Sequence, residues 1–317
     1  MRMTRYAIAL LTVILPGSVR MTPLPPHRVQ AAERMLGRWD ITIATPEGAK
    51  PSWLELEHSG RDVVVGRFVG IVGSARPIAV IAVNGDSLAF SIPHQWEAVT
   101  GDLTVRGKLE GDRLSGVMTF PDGTSRSWTA VRAPRLARPS PPAWGAPITL
   151  IAANGLAGWH SSGATNQWIV AGGILRSPRS GANLITDRTF EDFKLHVEFR
   201  YPKESNSGVY LRGRHEVQIQ DDFGNEPAND RFSGVYGFIS PSVIAARPAG
   251  EWQSYDITLV GRMVTVVANG RQVICNQEIP GITGGAIDSN EGEPGPLLLQ
   301  GDHGPVEYRN IIITPAR

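Results

Sequence analysis

From residue 38 to residue 132 the chain repeats one short pattern, and this repeat constrains the fold more than any other feature. Runs of alternating apolar and polar residues are each followed by a turn rich in glycine, asparagine or aspartate. Such turns adopt positive φ at little cost, and the alternation gives each strand one apolar face. The pattern predicts an antiparallel meander with strands over residues 39–44, 53–57, 63–69, 77–83, 88–92, 103–109, 114–120 and 125–131.

Eight short strands close together in sequence favour a small closed barrel, because closure removes the exposed strand edges. We predict this barrel domain over residues 34–133. Its two histidines, His58 and His94, are isolated in the sequence and belong to no recognisable catalytic set. The pattern therefore indicates a binding or scaffolding role for this half of the chain rather than catalysis.

A proline-rich segment, residues 134–146, follows the barrel. Proline has no N–H to donate to a sheet, so this segment is predicted to be an extended linker. Residues 147–317 resume the strand pattern with longer runs and without helical periodicity, which predicts a jelly-roll β-sandwich and an all-β chain. The predicted strands of this second domain cover residues 193–201, 207–212, 216–220, 254–260, 263–269, 271–275, 296–300 and 306–314.

Residues 1–25 have the composition of an export signal. A basic start with Arg2 and Arg5 precedes an apolar run over residues 6–15, which Pro16 and Gly17 close. The run is shorter than the ~20 apolar residues that a membrane-spanning helix needs. We therefore expect an exported protein, periplasmic or extracellular, without a membrane span.

Charge and cysteine content narrow the range of partners. The chain has 31 Lys and Arg against 30 Asp and Glu, a net charge of +1. Such a charge provides no field that would attract nucleic acid or an acidic membrane. A single cysteine, Cys275, excludes an internal disulfide bond. The expected partner is uncharged or small.

Residues 206–222 contain the most informative alternation. If residues 213–214 form a hairpin turn, the two flanking strands present one polar face made of Tyr210, Arg212, Glu216, Gln218 and Gln220. A carboxylate, a guanidinium and two amides match the hydroxyl groups of a sugar, and a tyrosine ring can stack on it. The same pattern also suits the solvated outer face of an antiparallel sheet, which needs no function.

A second candidate lies in a turn that follows an apolar strand. Asp302 and His303 are flanked by glycines, and an adjacent carboxylate could tune the histidine for proton transfer. A turn aspartate beside a surface histidine is the alternative explanation. Trp252 could be a platform for a sugar ring, or it could pack in the core.

Several short motifs occur in order along the second domain. They are residues 153–159 (ANGLAGW), 190–195 (FEDFKL), 198–200 (EFR), 206–212 (NSGVYLR), 216–219 (EVQI), 250–252 (GEW), 269–270 (NG), 302–304 (DHG) and 309–311 (RNI). In these motifs the domain resembles the 3-keto-disaccharide hydrolase family. This resemblance implies a concanavalin A-like jelly roll and action on glycosides that are oxidised at carbon 3.

The strand at residues 216–220 reads EVQIQ. Retaining jelly-roll glucanases place two carboxylates on such a strand, as nucleophile and as acid/base. Glutamines cannot take these roles, so Glu216 is the single acid or base on this strand. A conventional two-carboxylate mechanism is therefore not expected here.

Cleavage of a 3-keto glycoside needs fewer groups, because the ketone acidifies the hydrogen on carbon 2. We predict that Glu216 or His303 takes that proton. Arg212, alone or with a divalent cation, would stabilise the enolate, and Asp302 would orient His303 or hold the metal. Simple hydrolysis by a single acid stays open.

The predicted binding residues for the saccharide are Tyr210, Gln218, Gln220 and Trp252. A sugar 3-oxidoreductase is the expected functional partner, since it would supply the keto substrate. Two other functions fit the sequence: a non-catalytic carbohydrate-binding protein on the same scaffold, and a structural exported β-protein.

Overall fold

The computed structural model describes residues 32–163 and 165–317. The predicted export signal, residues 1–25, lies outside the described residues. Within the described residues, the only helical turn covers residues 32–35 and the regular structure is otherwise β. No helix in the described part of the chain is long and apolar enough to cross a membrane.

Eight antiparallel strands form a closed barrel in which each strand pairs with the next and β8 pairs back with β1. This finding confirms the predicted barrel, and the observed strands are on average slightly longer than the predicted ones. The barrel strands are β1 (Gly37–Thr45), β2 (Gly48–Ser59), β3 (Val63–Val69), β4 (Arg76–Asn84), β5 (Ser87–Pro93), β6 (Asp102–Glu110), β7 (Arg113–Thr119) and β8 (Ser125–Arg132).

Side-chain alternation fills the interior of the barrel. Trp39 and Ile41 of β1 point inward and are fully buried. The indole of Trp128, on β8, lies over the backbone of Gly107, where an added Cβ would be 2.6 Å from the ring. Side chains therefore pack the barrel interior at this level, and a cavity of about 290 Å³ remains where Ile43, Leu103 and Met118 line it.

The remaining strands form the predicted β-sandwich. One sheet has five strands in the order β10-β13-β20-β15-β16, and the other has eight, in the order β11-β12-β21-β14-β17-β18-β19 with β9 paired to β21. The strands are β9 (Ile148–Thr149), β10 (Trp159–Ser161), β11 (Ile169–Ala171), β12 (Ile174–Ser177), β13 (Leu184–Phe190), β14 (Phe193–Arg200), β15 (Asn206–Leu211), β16 (His215–Gln220), β17 (Gln253–Val260), β18 (Met263–Ala268), β19 (Arg271–Glu278), β20 (Gly295–Leu299) and β21 (Val306–Pro315).

Aromatic side chains fill the space between the two sheets. The rings of Phe199 and Tyr255 lie 4.6 Å apart, and Phe232 lies 5.2 Å from Tyr255. Val217 and Ile219 of β16 enter the same core. Because side chains alternate along a strand, the even-numbered residues of β16 lie on the outer face of the five-stranded sheet.

The outer face of the barrel packs against loops of the sandwich. Trp53, on β2, is fully buried there and meets Phe238 edge to face at 5.3 Å. Ile282 and Ala286 complete this small apolar cluster. The barrel is thus held next to the segments around residues 238 and 282–286, both of which border the polar face of the five-stranded sheet.

Candidate functional site

The hairpin of β15 and β16 positions Glu216 opposite Tyr210. The phenol oxygen of Tyr210 lies 2.9 Å from Oε2 of Glu216 and 3.0 Å from the carbonyl oxygen of Gly284. The carboxyl group of Glu216 passes directly over Gly208, where a Cβ would be 2.1 Å from Oε1. Glycine at position 208 therefore makes room for this carboxyl group.

Burial is the main cause that raises the pKa of Glu216 to about 8, and the nearby charge of Asp302 contributes to this rise. The hydrogen bond from Tyr210 and the charge of His303 lower this pKa but do not offset the burial. Glu216 therefore carries a proton at neutral pH. It can then donate to the Tyr210 oxygen while Tyr210 donates to the Gly284 carbonyl.

Asp302 and His303 follow β20, and their charges act on the carboxyl group of Glu216. Nδ1 of His303 and Oδ1 of Asp302 are 2.7 Å apart, and each side chain is about half exposed. The hydrogen bond to Asp302 raises the pKa of His303, partial burial opposes that rise, and the charges of Asp302 and Glu216 add to it. A buried carboxyl group and a half-exposed histidine, both with raised pKa values, thus act on each other through their charges.

Two glutamines continue the polar face along β16. Nε2 of Gln218 donates to Oε1 of Gln220 at 3.1 Å, and Asn206 donates to the same oxygen at 3.3 Å. Nε2 of Gln220 lies 3.4 Å from Asp222. Asp222 is buried and also accepts from Arg231 at 2.8 Å. The predicted binding residues Gln218 and Gln220 therefore lie in an ordered row beside Glu216.

Arg212 does not join this face, contrary to the sequence prediction. It follows β15 with φ at 53°, so the alternation of side chains ends there. Its Nη2 donates to the carbonyl of Gly261 at 3.0 Å and lies 3.3 Å from Nε2 of His215. These contacts direct the guanidinium toward the turn between β17 and β18 of the eight-stranded sheet. The structure therefore does not bring Arg212 to the carboxyl group of Glu216.

Trp252 also lies away from Glu216. Its ring packs against the guanidinium groups of Arg309, at 3.9 Å, and Arg200, at 4.8 Å. Arg200 and Arg309 belong to β14 and β21 of the eight-stranded sheet. Trp252 therefore covers the outer face of the opposite sheet, and the geometry does not place it in a common binding site with Gln218 and Gln220.

The structure adds two aromatic residues that the sequence analysis did not single out. The segment after residue 232 runs along the edge of β16, where the N–H of Tyr236 donates to the carbonyl of Glu216 at 3.0 Å. Burial raises the pKa of Tyr236, and a hydrogen bond from Trp96 of the barrel opposes that rise. No local pattern connects residue 96 with residue 236, since only the packing of the barrel brings them together.

No group of three or more histidine, cysteine, aspartate or glutamate side chains is arranged to hold a metal ion within residues 32–163 and 165–317. The two acidic groups nearest the site, Glu216 and Asp302, are engaged with Tyr210 and His303. These residues do not form a metal site as they stand, and the divalent cation stays a prediction. A cavity of about 1240 Å³ between the barrel and the linker contains none of the predicted site residues.

Three solved structures are among those similar to this chain. A candidate glycosyl hydrolase from Parabacteroides distasonis is 28% identical, covers 56% of this chain and 92% of its own, and has a TM-score of 0.46. A second one from the same organism is 22% identical, covers 53% of this chain and 98% of its own, and has a TM-score of 0.43. A carbohydrate-binding module from Bacillus subtilis is 14% identical, covers 49% and 93%, and has a TM-score of 0.31.

No protein of curated function matches the chain. Residues 146–314, more than half of the chain, match the family of 3-keto-alpha-glucoside-1,2-lyase-like domains. This match covers the whole sandwich from β9 into β21. The chain therefore belongs to the 3-keto-alpha-glucoside-1,2-lyase-like domain family, a class of carbohydrate-active proteins.

Proposed function

We propose that the protein cleaves the glycosidic bond of 3-keto glycosides, by elimination followed by hydration. The observation that carries the proposal is the pairing of a buried, protonated carboxyl group, Glu216, with an accessible histidine, His303. An elimination needs one base and one acid, and an accessible imidazole beside a protonated carboxyl group can supply them. Membership of the family supports the keto sugar as the substrate.

In the elimination step, neutral His303 takes the proton from carbon 2, which the adjacent ketone acidifies. The electron pair forms the double bond between carbons 1 and 2 through the enolate, and the bond from carbon 1 to the aglycone oxygen breaks. Glu216 gives its proton to that oxygen. The products are an unsaturated 3-keto sugar and the free aglycone, with His303 protonated and Glu216 ionised.

In the hydration step, the ionised Glu216 takes a proton from water as the water oxygen adds to carbon 1. Protonated His303 returns a proton to carbon 2, which restores both side chains. With Arg212 turned away, the side-chain amide of Gln218 supplies an N–H for the enolate oxygen, since its Nε2 uses one hydrogen for Gln220. Asp302 orients the ring of His303.

Turnover in D₂O tests this sequence of steps. The proton that returns to carbon 2 exchanges with solvent on His303, so the released keto sugar acquires deuterium at carbon 2, as measured by proton NMR at early times. Incubation of the free 3-keto monosaccharide under the same conditions gives the background exchange. Release of a product with no deuterium above that background contradicts elimination and favours direct hydrolysis.

A non-catalytic sugar-binding protein is the second candidate. The burial of Glu216 and Tyr210 favours it, because buried side chains expose little surface to a reacting bond. In that case Glu216→Gln retains sugar affinity and no variant changes turnover, because the wild-type protein has none. Isothermal titration of the keto disaccharide into both proteins, beside an assay for the released sugar, separates the two functions.

We also propose that residues 1–25 direct export and that a sugar 3-oxidoreductase supplies the substrate. The basic and apolar pattern of residues 1–25 supports the first part. The ketone at carbon 3 supports the second, since it must come from the oxidation of a hydroxyl group. The mass of the full-length chain recovered from the periplasm of a bacterial host tests export, and retention of the whole chain in the cytosol contradicts it.

A further inference from the structure

The loop between β5 and β6 of the barrel exposes a tryptophan. Trp96 is 66% exposed, among the highest values for large apolar side chains in the described chain. A tryptophan has a large aromatic surface, so leaving it in water forgoes the stabilisation that burial would give. The packing of the barrel does not explain this exposure.

The backbone around Trp96 is nevertheless held firmly. The carboxylate of Glu97 accepts from the N–H of Gln95 at 2.6 Å and from the N–H of Trp96 at 3.2 Å. The same carboxylate pairs with Arg76 at 3.0 Å, and both charged side chains are largely buried. Gln95 in turn donates to Ser74 at 2.8 Å. An exposed aromatic ring on a fixed loop is typical of a binding surface, because little freedom is lost when a ligand binds.

Trp96 borders the polar face that contains Glu216. A barrel loop connects the two: a Cβ added at Gly73 would be 2.9 Å from Cδ1 of the Trp96 indole, and one added at Gly237 would be 2.7 Å from the backbone nitrogen of Ala75. Tyr236, next to Gly237, donates its N–H to the carbonyl of Glu216. The neighbouring barrel loop makes direct contact with the loop that receives Tyr210, since the N–H of Gly285 donates to the carbonyl of Ile71 at 3.0 Å. The segment that contains Tyr236 runs along β16, whereas His303 follows β20, on the other side of β15. The site therefore lies between His303 and Trp96.

We propose that Trp96 is a stacking platform for the leaving-group sugar of a disaccharide, so that the barrel contributes a subsite to the sandwich. The inference rests on the proposed function for the position of the keto ring, which must reach Glu216 and His303. The second ring then lies on the side of Tyr236 and reaches the exposed indole. The C–H face of a sugar suits an aromatic ring, and the Tyr236 hydroxyl offers a polar partner at its edge.

Two substrates separate this role from general damage to the protein. One is a 3-keto-α-glucosyl disaccharide, and the other is methyl 3-keto-α-glucoside, which has no second sugar ring. Trp96→Ala is expected to raise KM for the disaccharide roughly five- to tenfold, with kcat within about twofold of wild type. The methyl glycoside is expected to show no change, and Trp96→Phe should restore most of the affinity for the disaccharide.

The matched control is Val80→Ala, which removes another exposed apolar side chain of the barrel, 65% exposed on β4. It should behave as wild type with both substrates. If Trp96→Ala leaves KM for the disaccharide unchanged, or raises it equally for both substrates, the subsite is contradicted while the proposed function stands.

Binding measurements keep the inference testable if the wild-type protein turns over neither keto substrate, a result that would contradict the proposed function. Isothermal titration with the unoxidised disaccharide and with methyl α-glucoside then compares wild type with Trp96→Ala. Selective loss of disaccharide affinity in Trp96→Ala supports the platform. Equal affinity of the two proteins, or binding of the disaccharide by neither, overturns it.

Discussion

At the scale of single residues, the environment of Glu216 determines what this site can do. Its carboxyl group is buried, is hydrogen-bonded to Tyr210 and is influenced by the charges of His303 and Asp302. The alternation in the sequence was sufficient to predict that Tyr210, Glu216, Gln218 and Gln220 share one face. The alternation could not predict the direction of the Arg212 side chain, because the strand ends where that residue adopts a positive φ.

The pH dependence of turnover tests the assignment of acid and base. Activity requires His303 without its proton and Glu216 with its proton, so the profile of kcat/KM is bell-shaped, with an alkaline limb at about pH 8. Asp302 raises the pKa of His303 through its hydrogen bond and raises the pKa of Glu216 through its charge. Asp302→Asn is therefore expected to move both limbs to lower pH and to lower the maximum.

A matched control exists elsewhere in the sandwich. His160 and Asp187 form a pair of the same length, 2.7 Å, and both are exposed. Asp187→Asn is expected to leave the profile of kcat/KM unchanged. If both limbs of the kcat/KM profile keep their positions in Asp302→Asn, Asp302 does not control the pKa values of His303 and Glu216.

At the scale of elements, the predicted β-structure holds, and the strands that the sequence analysis did not predict are β9 to β13. Strand β13 has seven residues, but its register with β20 shifts between Ile185 and Thr189. Strands β9 to β12 have two to four residues each, too few for an alternating pattern to be visible. The hairpin of β15 and β16 was predictable because both strands alternate regularly and bracket a glycine. The position of Trp252 was not predictable, because the sequence around a residue that follows a loop does not show which sheet its side chain will cover.

The interior of that hairpin supplies a prediction about packing. In Gly208→Ala, the new methyl group would lie 2.1 Å from Oε1 of Glu216, so the carboxyl group must move. Overpacking of this kind costs about 1–3 kcal/mol. We expect a lower melting temperature and a fall in kcat of about tenfold or more, measured by calorimetry and by release of the aglycone.

Gly163→Ala is the control, because an added Cβ there meets no atom within 4 Å. That variant should keep both the melting temperature and kcat. If Gly208→Ala also kept both, the carboxyl group of Glu216 would not occupy the position that the structure gives it.

At the scale of the whole molecule, the contact between barrel and sandwich is the feature that no sequence pattern indicated. Asp40 and Trp53 are paired across β1 and β2 and point outward from the barrel into the sandwich. Strand alternation can show that such residues face outward, but it cannot show what covers them. The contact places a barrel loop beside Tyr236, so the candidate site depends on both halves of the chain.

The pH dependence of the free energy of unfolding tests this contact between barrel and sandwich. Burial and, as a smaller cause, the nearby Glu291 together raise the pKa of Asp40 to about 9. The folded protein therefore keeps a proton that the unfolded chain releases above about pH 4, so the contribution of Asp40 to stability falls as pH rises toward 9. Asparagine does not ionise, so Asp40→Asn removes this loss of stability at high pH, and its amide group still offers a donor toward Glu291.

We expect Asp40→Asn to be more stable than wild type by at least about 1 kcal/mol at pH 8. The gain should be smaller at pH 5, and urea denaturation of the full chain at the two pH values measures both. A variant that gains nothing at pH 8, or that gains more at pH 5, would contradict a protonated Asp40 in the folded protein.

The most direct test of the central claim is the release of sugar from a 3-keto disaccharide and from its unoxidised parent, by wild type and by Glu216→Gln, with and without a chelator. We predict release from the keto form only, and a fall of about 100-fold or more in kcat for Glu216→Gln, because an amide cannot give up the proton that the leaving group needs. Loss of activity with the chelator would support the predicted requirement for a divalent cation. Equal release from the unoxidised parent, or full activity of Glu216→Gln, would contradict the account.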